Sequence, residues 1–261
     1  MEFAKVESSL LELSALNSLL RKPSYVNRRD LGLGAGYEPM RRIKAKQRSI
    51  NRPGYFPTRK TFDRRAIRTE SILEQAGLGH IETNARYRKI AAQPHRLTYY
   101  KPCPDGSWVK ATYVPDLAVL TAEDNVVVVD FRWSALRAMP EWSAVESLIK
   151  DAYRVDHGAT FTVLTEEHLL IEPRRTNVAI MCMHRPPAEN LGALTVVRTA
   201  ISGLGSPTTI GAVRAKARLG GTDARDPSFS AIMELAIMGE ISLDMSDIFH
   251  DGTEVRSGVL S

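Results

Sequence analysis

Four consecutive valines, Val126-Val127-Val128-Val129, constrain the fold more than any other stretch of this chain. A run without polar alternation suits a strand buried on both faces, as in the middle of a sheet covered by helices. Helical spacing follows: across residues 140–156, Val145, Leu148, Ile149, Ala152 and Tyr153 form one apolar stripe. Gly158 ends that helix, and Thr160-Phe161-Thr162-Val163-Leu164-Thr165 is a second strand. Strand, crossover helix and strand make a parallel pair, and so an α/β core.

The segments upstream have a different period. Residues 86–91, 97–101, 108–120 and 125–133 are short and rich in Val, Tyr and Thr, with turn signals at Pro104-Asp105-Gly106 and Glu123-Asp124-Asn125. They predict a strand meander with hairpins, which makes the sheet mixed. Before them, Thr69 is placed to cap a short helix carrying Glu74, with Gly77 as its stop. Beyond Pro173 the strands cease, and Arg185-Pro186-Pro187 looks like a hinge. Helices are expected at 191–204, 208–219 and 229–238, then a hairpin of 241–244 with 254–256 around His250-Asp251-Gly252. Three helices and a hairpin suggest a winged-helix-like module, with a generic helical subdomain as the other reading. The expected organisation is an N-terminal helix and basic arm (1–53), an α/β core (54–186) and a small C-terminal helical domain (187–261).

Charge is unevenly distributed. Lys and Arg number 35 against 30 acidic residues, a net charge of +5. Residues 41–68 hold Arg41, Arg42, Lys44, Lys46, Arg48, Arg52, Arg59, Lys60, Arg64, Arg65 and Arg68 against a lone Asp63. Such an arm is either a solvated tail or a contact for the nucleic-acid backbone. No run of about 18 apolar residues occurs, so no membrane span is expected. The first 20 residues carry Glu2, Glu7 and Glu12 and lack a signal-peptide pattern, and Cys103 and Cys182 stand far apart in unlike contexts. A cytoplasmic, reducing setting is expected.

Several chemistries are excluded. His80, His157, His168, His184 and His250 show no metal-ligand spacing, Ser71 and Ser134 have no visible histidine-acid partners, and Gly32, Gly34 and Gly36 lack the lysine of a phosphate-binding loop. His95 is expected to be structural. The informative spacing is Pro115-Asp116 on one strand and Asp130-Phe131-Arg132 on the next. Residues i and i+2 share a strand face, so Asp130 and Arg132 project together beside Asp116. Two carboxylates and a cation are either a surface ion pair or a divalent-metal site for phosphodiester cleavage, to which Glu74 could add an oxygen ligand.

Four motifs carry a family resemblance: Gly54-Tyr55-Phe56-Pro57-Thr58-Arg59-Lys60, Arg68-Thr69-Glu70-Ser71-Ile72-Leu73-Glu74, Gln93-Pro94-His95-Arg96-Leu97-Thr98-Tyr99-Tyr100 and Tyr113-Val114-Pro115-Asp116-Leu117-Ala118-Val119. With Val163-Leu164-Thr165-Glu166-Glu167 after the crossover helix, they resemble in order and spacing the N-terminal domain of TnsA endonucleases. These are the restriction-endonuclease-like subunits of heteromeric transposases, which cut the 5′ ends of a mobile element. The resemblance implies a PD-(D/E)xK core, a winged-helix-like C-terminal region, Mg²⁺ or Mn²⁺ as cofactor, and as partners DNA, a transposase subunit and an AAA+ regulator. It assigns metal binding to Glu74, Asp116 and Asp130 and places Arg132 at the motif's lysine. With this core, the arm residues Arg41, Arg42, Lys44, Lys46, Arg48, Arg52, Arg59, Lys60, Arg64 and Arg65 become expected DNA contacts. The family pattern is (Glu/Gln)-x-Lys where this chain has Asp130 and Arg132, and arginine cannot replace lysine conservatively at a catalytic position. The alternative function is therefore a degenerate nuclease fold serving as a DNA-binding or partner-docking adaptor.

Overall fold

The computed structural model describes residues 27–41, 53–63, 66–103, 105–185, 189–220 and 226–258. The expected N-terminal helix and the arm residues Arg42, Lys44, Lys46, Arg48, Arg52, Arg64 and Arg65 lie outside the described residues. In chain order the elements are β1 (Gly54–Pro57), β2 (Ala66–Thr69), α1 (Ile72–Glu82), β3 (Tyr87–Ala92), β4 (Leu97–Pro102), β5 (Trp108–Tyr113), β6 (Leu117–Thr121) and β7 (Val126–Phe131). They continue with α2 (Ser134–Arg137), α3 (Pro140–Asp156), β8 (Thr160–Leu164), α4 (Glu166–Leu169), α5 (Arg174–His184), α6 (Leu191–Leu204), β9 (Thr208–Thr209), α7 (Ile210–Ala217), α8 (Pro227–Met238), β10 (Ile241–Leu243) and β11 (Glu254–Ser257). The chain forms two units, one running to Gly77 and resuming over Tyr87–Leu169, the other comprising Leu78–Arg86 and Leu170–Ser261.

The first unit is built on a four-stranded sheet in the order β3-β6-β7-β8. β3 and β6, and β6 and β7, pair antiparallel, while β7 and β8 pair parallel, so the sheet is mixed as expected. All four valines of β7 are buried, confirming a strand covered on both faces. On one face Val126 and Val128 join Ala118, Leu120, Phe161 and Val163 under Ile149 and Tyr153 of α3. Pro140 opens α3 at its first turn, where a missing N–H costs nothing, and Gly158 at φ 60 follows its C-cap. On the other face Phe131 closes onto Gly77 of α1.

Three local readings are corrected. Ser71, not Thr69, caps α1: its Oγ accepts the Glu74 amide at 3.1 Å. Gly77 does not stop α1 but lies inside it, because the Phe131 ring takes the space of a side chain there. The single strand expected over 108–120 is two, broken at Val114-Pro115-Asp116, where proline cannot donate to the ladder. Leu31 and Leu33, read as part of the arm, are buried in this core. A separate antiparallel hairpin, β4–β5, is rooted by Leu97 and Tyr99 in the same core.

The second unit runs α5-α6-β9-α7-α8-β10-β11 around Leu194, Val197, Ile210, Val213, Ile232, Met233, Leu235 and Val255, all fully buried. Its sheet has the order β10-β11-β9, with β11 antiparallel to both neighbours. The 191–204 helix and the terminal hairpin stand as expected, and Cys182 lies in the helix α5, whereas the helix expected over 208–219 begins only at Ile210, after the short strand β9. Asn190, Thr209 and Asp226 cap α6, α7 and α8 through their side chains. Arg185 pairs with Glu82 with both side chains buried, and Asn177 clamps a loop by donating to the Asp247 carbonyl at 2.8 Å and accepting the Phe249 amide at 3.0 Å.

Candidate active site

The β6–β7 ladder sets the geometry. Its register pairs Ala118 with Val128 and Leu117 with Val129, so one further step puts Asp116 opposite Asp130. The Asp116 Oδ2 accepts the Phe131 amide at 2.9 Å, which locks the carboxylate to the neighbouring strand just where regular pairing stops. Glu74 arrives from the first turn of α1, where Oε2 accepts the Glu70 amide at 3.0 Å while its own amide donates to Ser71. This Ser-x-x-Glu arrangement is a capping box with its return bond shifted one residue upstream. Three carboxylates, from α1, the β5–β6 link and β7, thus meet in one region, each of them buried.

Their proton affinities record the crowding. Burial raises Asp116 well above the ordinary aspartate range, and the charges of Asp130 and Glu74 push it further in that direction. Asp130 is also raised by burial, against the opposing help of the Tyr113 hydroxyl, Arg132 and Asp116, the last close enough to share a proton with it. Glu74 is lifted to about 6, chiefly by burial. Tyr113 is half-buried with its hydroxyl covered beside these charges; it is driven upward by burial and then by Asp130 and Asp116, and that hydroxyl has no well-formed hydrogen bond.

Cations already lean on these groups. Arg132 Nη2 lies 3.3 Å from Asp130 Oδ2, as the i, i+2 spacing predicts. Its guanidinium also stacks 3.5 Å above the Trp142 ring, and its Nε is buried without an acceptor. Trp142 in turn donates Nε1–H to Glu146 at 3.1 Å, and Glu146 accepts Arg137 at 2.8 and 3.0 Å and Lys150 at 2.8 Å. Arg41, among the expected DNA contacts, bridges Glu70 at 3.3 Å and Asp116 at 3.4 Å with its side chain 42% exposed. Arg59 is exposed and Lys60 half-buried. The i, i+2 rule found Arg132, but Tyr113, Trp142 and the inward turn of Arg41 carried no sequence signal, since each depends on a neighbouring strand or helix. His95 is structural: buried, with Nε2 3.0 Å from the Tyr153 hydroxyl.

The donor set is all oxygen and anionic, the chemistry that suits a hard divalent cation. Among the described residues, however, no three His, Cys, Asp or Glu side chains gather as a ready metal cage. The reason is visible in the partners: Glu74 is turned onto the Glu70 amide, and Arg41 and Arg132 sit against Asp116 and Asp130. The arrangement can hold a proton between carboxylates, attract a cation and present a fixed positive charge at Arg132. No helix among the described residues is long and apolar enough to cross a membrane. Neither protein-family models nor curated proteins give a match to this chain.

Proposed function

We propose that this chain is a metal-dependent DNA endonuclease subunit of a transposition system, cleaving the 5′ ends of a mobile element. The observation that carries the reading is the convergence of Glu74, Asp116 and Asp130, buried and raised in pKa, beside the permanent charge of Arg132. The mixed sheet with its parallel β7–β8 pair and flanking α1 and α3 supports a PD-(D/E)xK core. The α6-β9-α7-α8-β10-β11 order supports a winged-helix-like module, through which a transposase subunit and an AAA+ regulator would dock.

In this reading Asp116 and Asp130 are the principal ligands of Mg²⁺ or Mn²⁺, and Glu74 joins them on leaving the Glu70 amide. The ion, when bound, polarises the scissile phosphate and lowers the pKa of an attacking water. The protein's own groups do the rest. The planar, delocalised cation of Arg132 suits it to neutralise charge building on the phosphate. Glu74, lifted to about 6 by burial without a cation, would give up its proton on joining the ion, because a neighbouring positive charge favours the ionised carboxylate. Arg41 must leave Asp116 for a cation to approach, and the DNA backbone offers it a phosphate in exchange.

A second reading is favoured by one observation, the pairing of Arg41 and Arg132 with the carboxylates a metal would need. It makes the chain a degenerate nuclease fold acting as DNA-binding adaptor. The deciding experiment is a titration of Mn²⁺ and Mg²⁺ followed by thermal melting, in wild type and Asp116→Ala. A ligand bound only by the folded state must raise the melting point, by about 2.7 kcal/mol of stability at a hundred times its Kd. A saturable rise in wild type that Asp116→Ala lacks supports the nuclease and justifies reconstituting cleavage with a transposase. No rise up to millimolar metal sinks it in favour of the adaptor.

A further inference from the structure

The outer end of the β4–β5 hairpin buries nothing. Leu97 and Tyr99 root the ribbon in the core, but Tyr100, Lys101 and Pro102 on one strand and Trp108, Val109 and Lys110 on the other are all exposed. Tyr100 is 58% and Trp108 63% exposed, a large apolar area to leave in water without a partner. The register pairs Tyr100 with Lys110 and Pro102 with Trp108. Directly opposed residues share a face, so Tyr100 and Trp108 are diagonal neighbours with Lys110 beside them. Among the described residues no ion pair involves Lys101, Lys110 or Arg96. The only carboxylate of the hairpin, Asp105, is occupied by the amide and hydroxyl of Ser107, at 2.9 and 2.7 Å.

Rings with open faces beside a cation without an ion-pair partner complement a strand whose bases stack and whose phosphates repel one another. The chain also runs from Trp108 through Tyr113 straight into Asp116, eight residues later, a span of at most about 28 Å. We propose that this hairpin is a DNA-contact element, stacking Tyr100 and Trp108 on unpaired bases while Lys110, on the same face, holds a flanking phosphate. The inference rests on the nucleic-acid reading above and adds to it the form of DNA engaged: a duplex carrying a single-stranded segment.

The test is fluorescence polarisation with a labelled blunt duplex and the same duplex bearing a single-stranded overhang, using the full chain. Wild type is expected to bind the overhang substrate more tightly. Y100A/W108A loses about tenfold on the overhang and little on the blunt duplex, and W108F keeps most of the affinity, as stacking on any base requires. K110A lowers the salt slope on single-stranded DNA by about 0.7, whereas K101A, on the opposite face of the ribbon across from Val109, leaves it unchanged. The substituted side chains are exposed, so melting points equal to wild type are expected and show that folding is retained. If wild type binds DNA and Y100A/W108A binds the overhang equally well, the hairpin inference is overturned alone, leaving the aromatics as a protein-docking face. If wild type binds neither DNA, the inference and the nucleic-acid reading fall together.

Discussion

Asp116 faces Asp130 across the β6–β7 ladder, one residue beyond the Leu117–Val129 pair, so two carboxylates meet where a buried sheet opens toward solvent. Folding crowds these charges, and the folded pKa of Asp116 rises above its unfolded value. In the pH range between the two, the folded state binds more protons than the unfolded state, and stability must fall as pH rises. Asp116→Asn removes that cost while an amide oxygen can still accept the Phe131 N–H. The variant is therefore expected to melt above wild type at pH 7, by a few degrees, with the gap closing toward pH 4. Saturating Mn²⁺ should reverse the order if the site takes a cation. A variant that melts lower than wild type at pH 7 without metal would show that the carboxylates are not in conflict.

Much of this arrangement was legible from local pattern. The valine run, the stripe of α3 and the i, i+2 spacing of Asp130 and Arg132 each rest on a short-range rule, and each stands as expected. What escaped depends on contacts distant in sequence. Gly77 reads as a helix stop until Phe131, from another strand, is seen to fill its missing side chain. Arg41 reads as part of a basic arm, yet its partners Glu70 and Asp116 lie 29 and 75 residues away. The meeting of Asp116 with Asp130 is expected from the hairpin, and the turn after Thr121 fixes its register: Asp124 adopts φ 66 and the Thr121 amide donates to the Asn125 carbonyl at 2.9 Å.

Arg132 has two roles that a lysine separates. Its guanidinium stacks on Trp142 and pairs with Asp130. Arg132→Lys keeps a positive charge near Asp130 and loses the planar stack, at a cost of about 1 kcal/mol. If the carboxylates bind metal, the compact ammonium should fit the nuclease chemistry better, and plasmid nicking in Mn²⁺ should increase. No gain in a variant that folds and still binds metal would count against residual nuclease activity. Trp142→Phe retains a ring for stacking but not the bond to Glu146, so it should disturb nicking less than Trp142→Ala.

His95 makes the first unit sensitive to mild acid. Burial first, then the neighbouring His157, lowers its pKa from 6.5 to about 4. Its Nδ1 is buried without a partner, and Nε2 meets the Tyr153 hydroxyl. The unfolded state therefore takes up a proton near pH 6.5 while the folded state resists until about pH 4. Unfolded chains bind more protons in that window, so stability is full above it and falls as pH drops through it. Chemical denaturation at pH 7, 6 and 5 should show a declining midpoint, and His95→Gln, which cannot titrate, should flatten the decline. An identical pH profile in the two proteins would assign the acid sensitivity elsewhere.

Gly77 offers a test in which two physical effects oppose each other. Inside an exposed helix, replacing glycine with alanine stabilises by about 1 kcal/mol, because glycine loses more backbone freedom on folding. Here a Cβ would enter the space of the Phe131 ring, which would have to shift. The Phe131 amide is also the donor that fixes Asp116. Gly77→Ala should therefore lower stability by about 1–3 kcal/mol, the usual cost of overpacking a core. It should also weaken any cation-dependent rise in melting point, because the Asp116 carboxylate loses its anchor. Adding Phe131→Leu, a smaller side chain, should recover part of the stability in a double-mutant cycle, since residues in contact couple. Additive effects of the two substitutions would show that the ring does not govern this position.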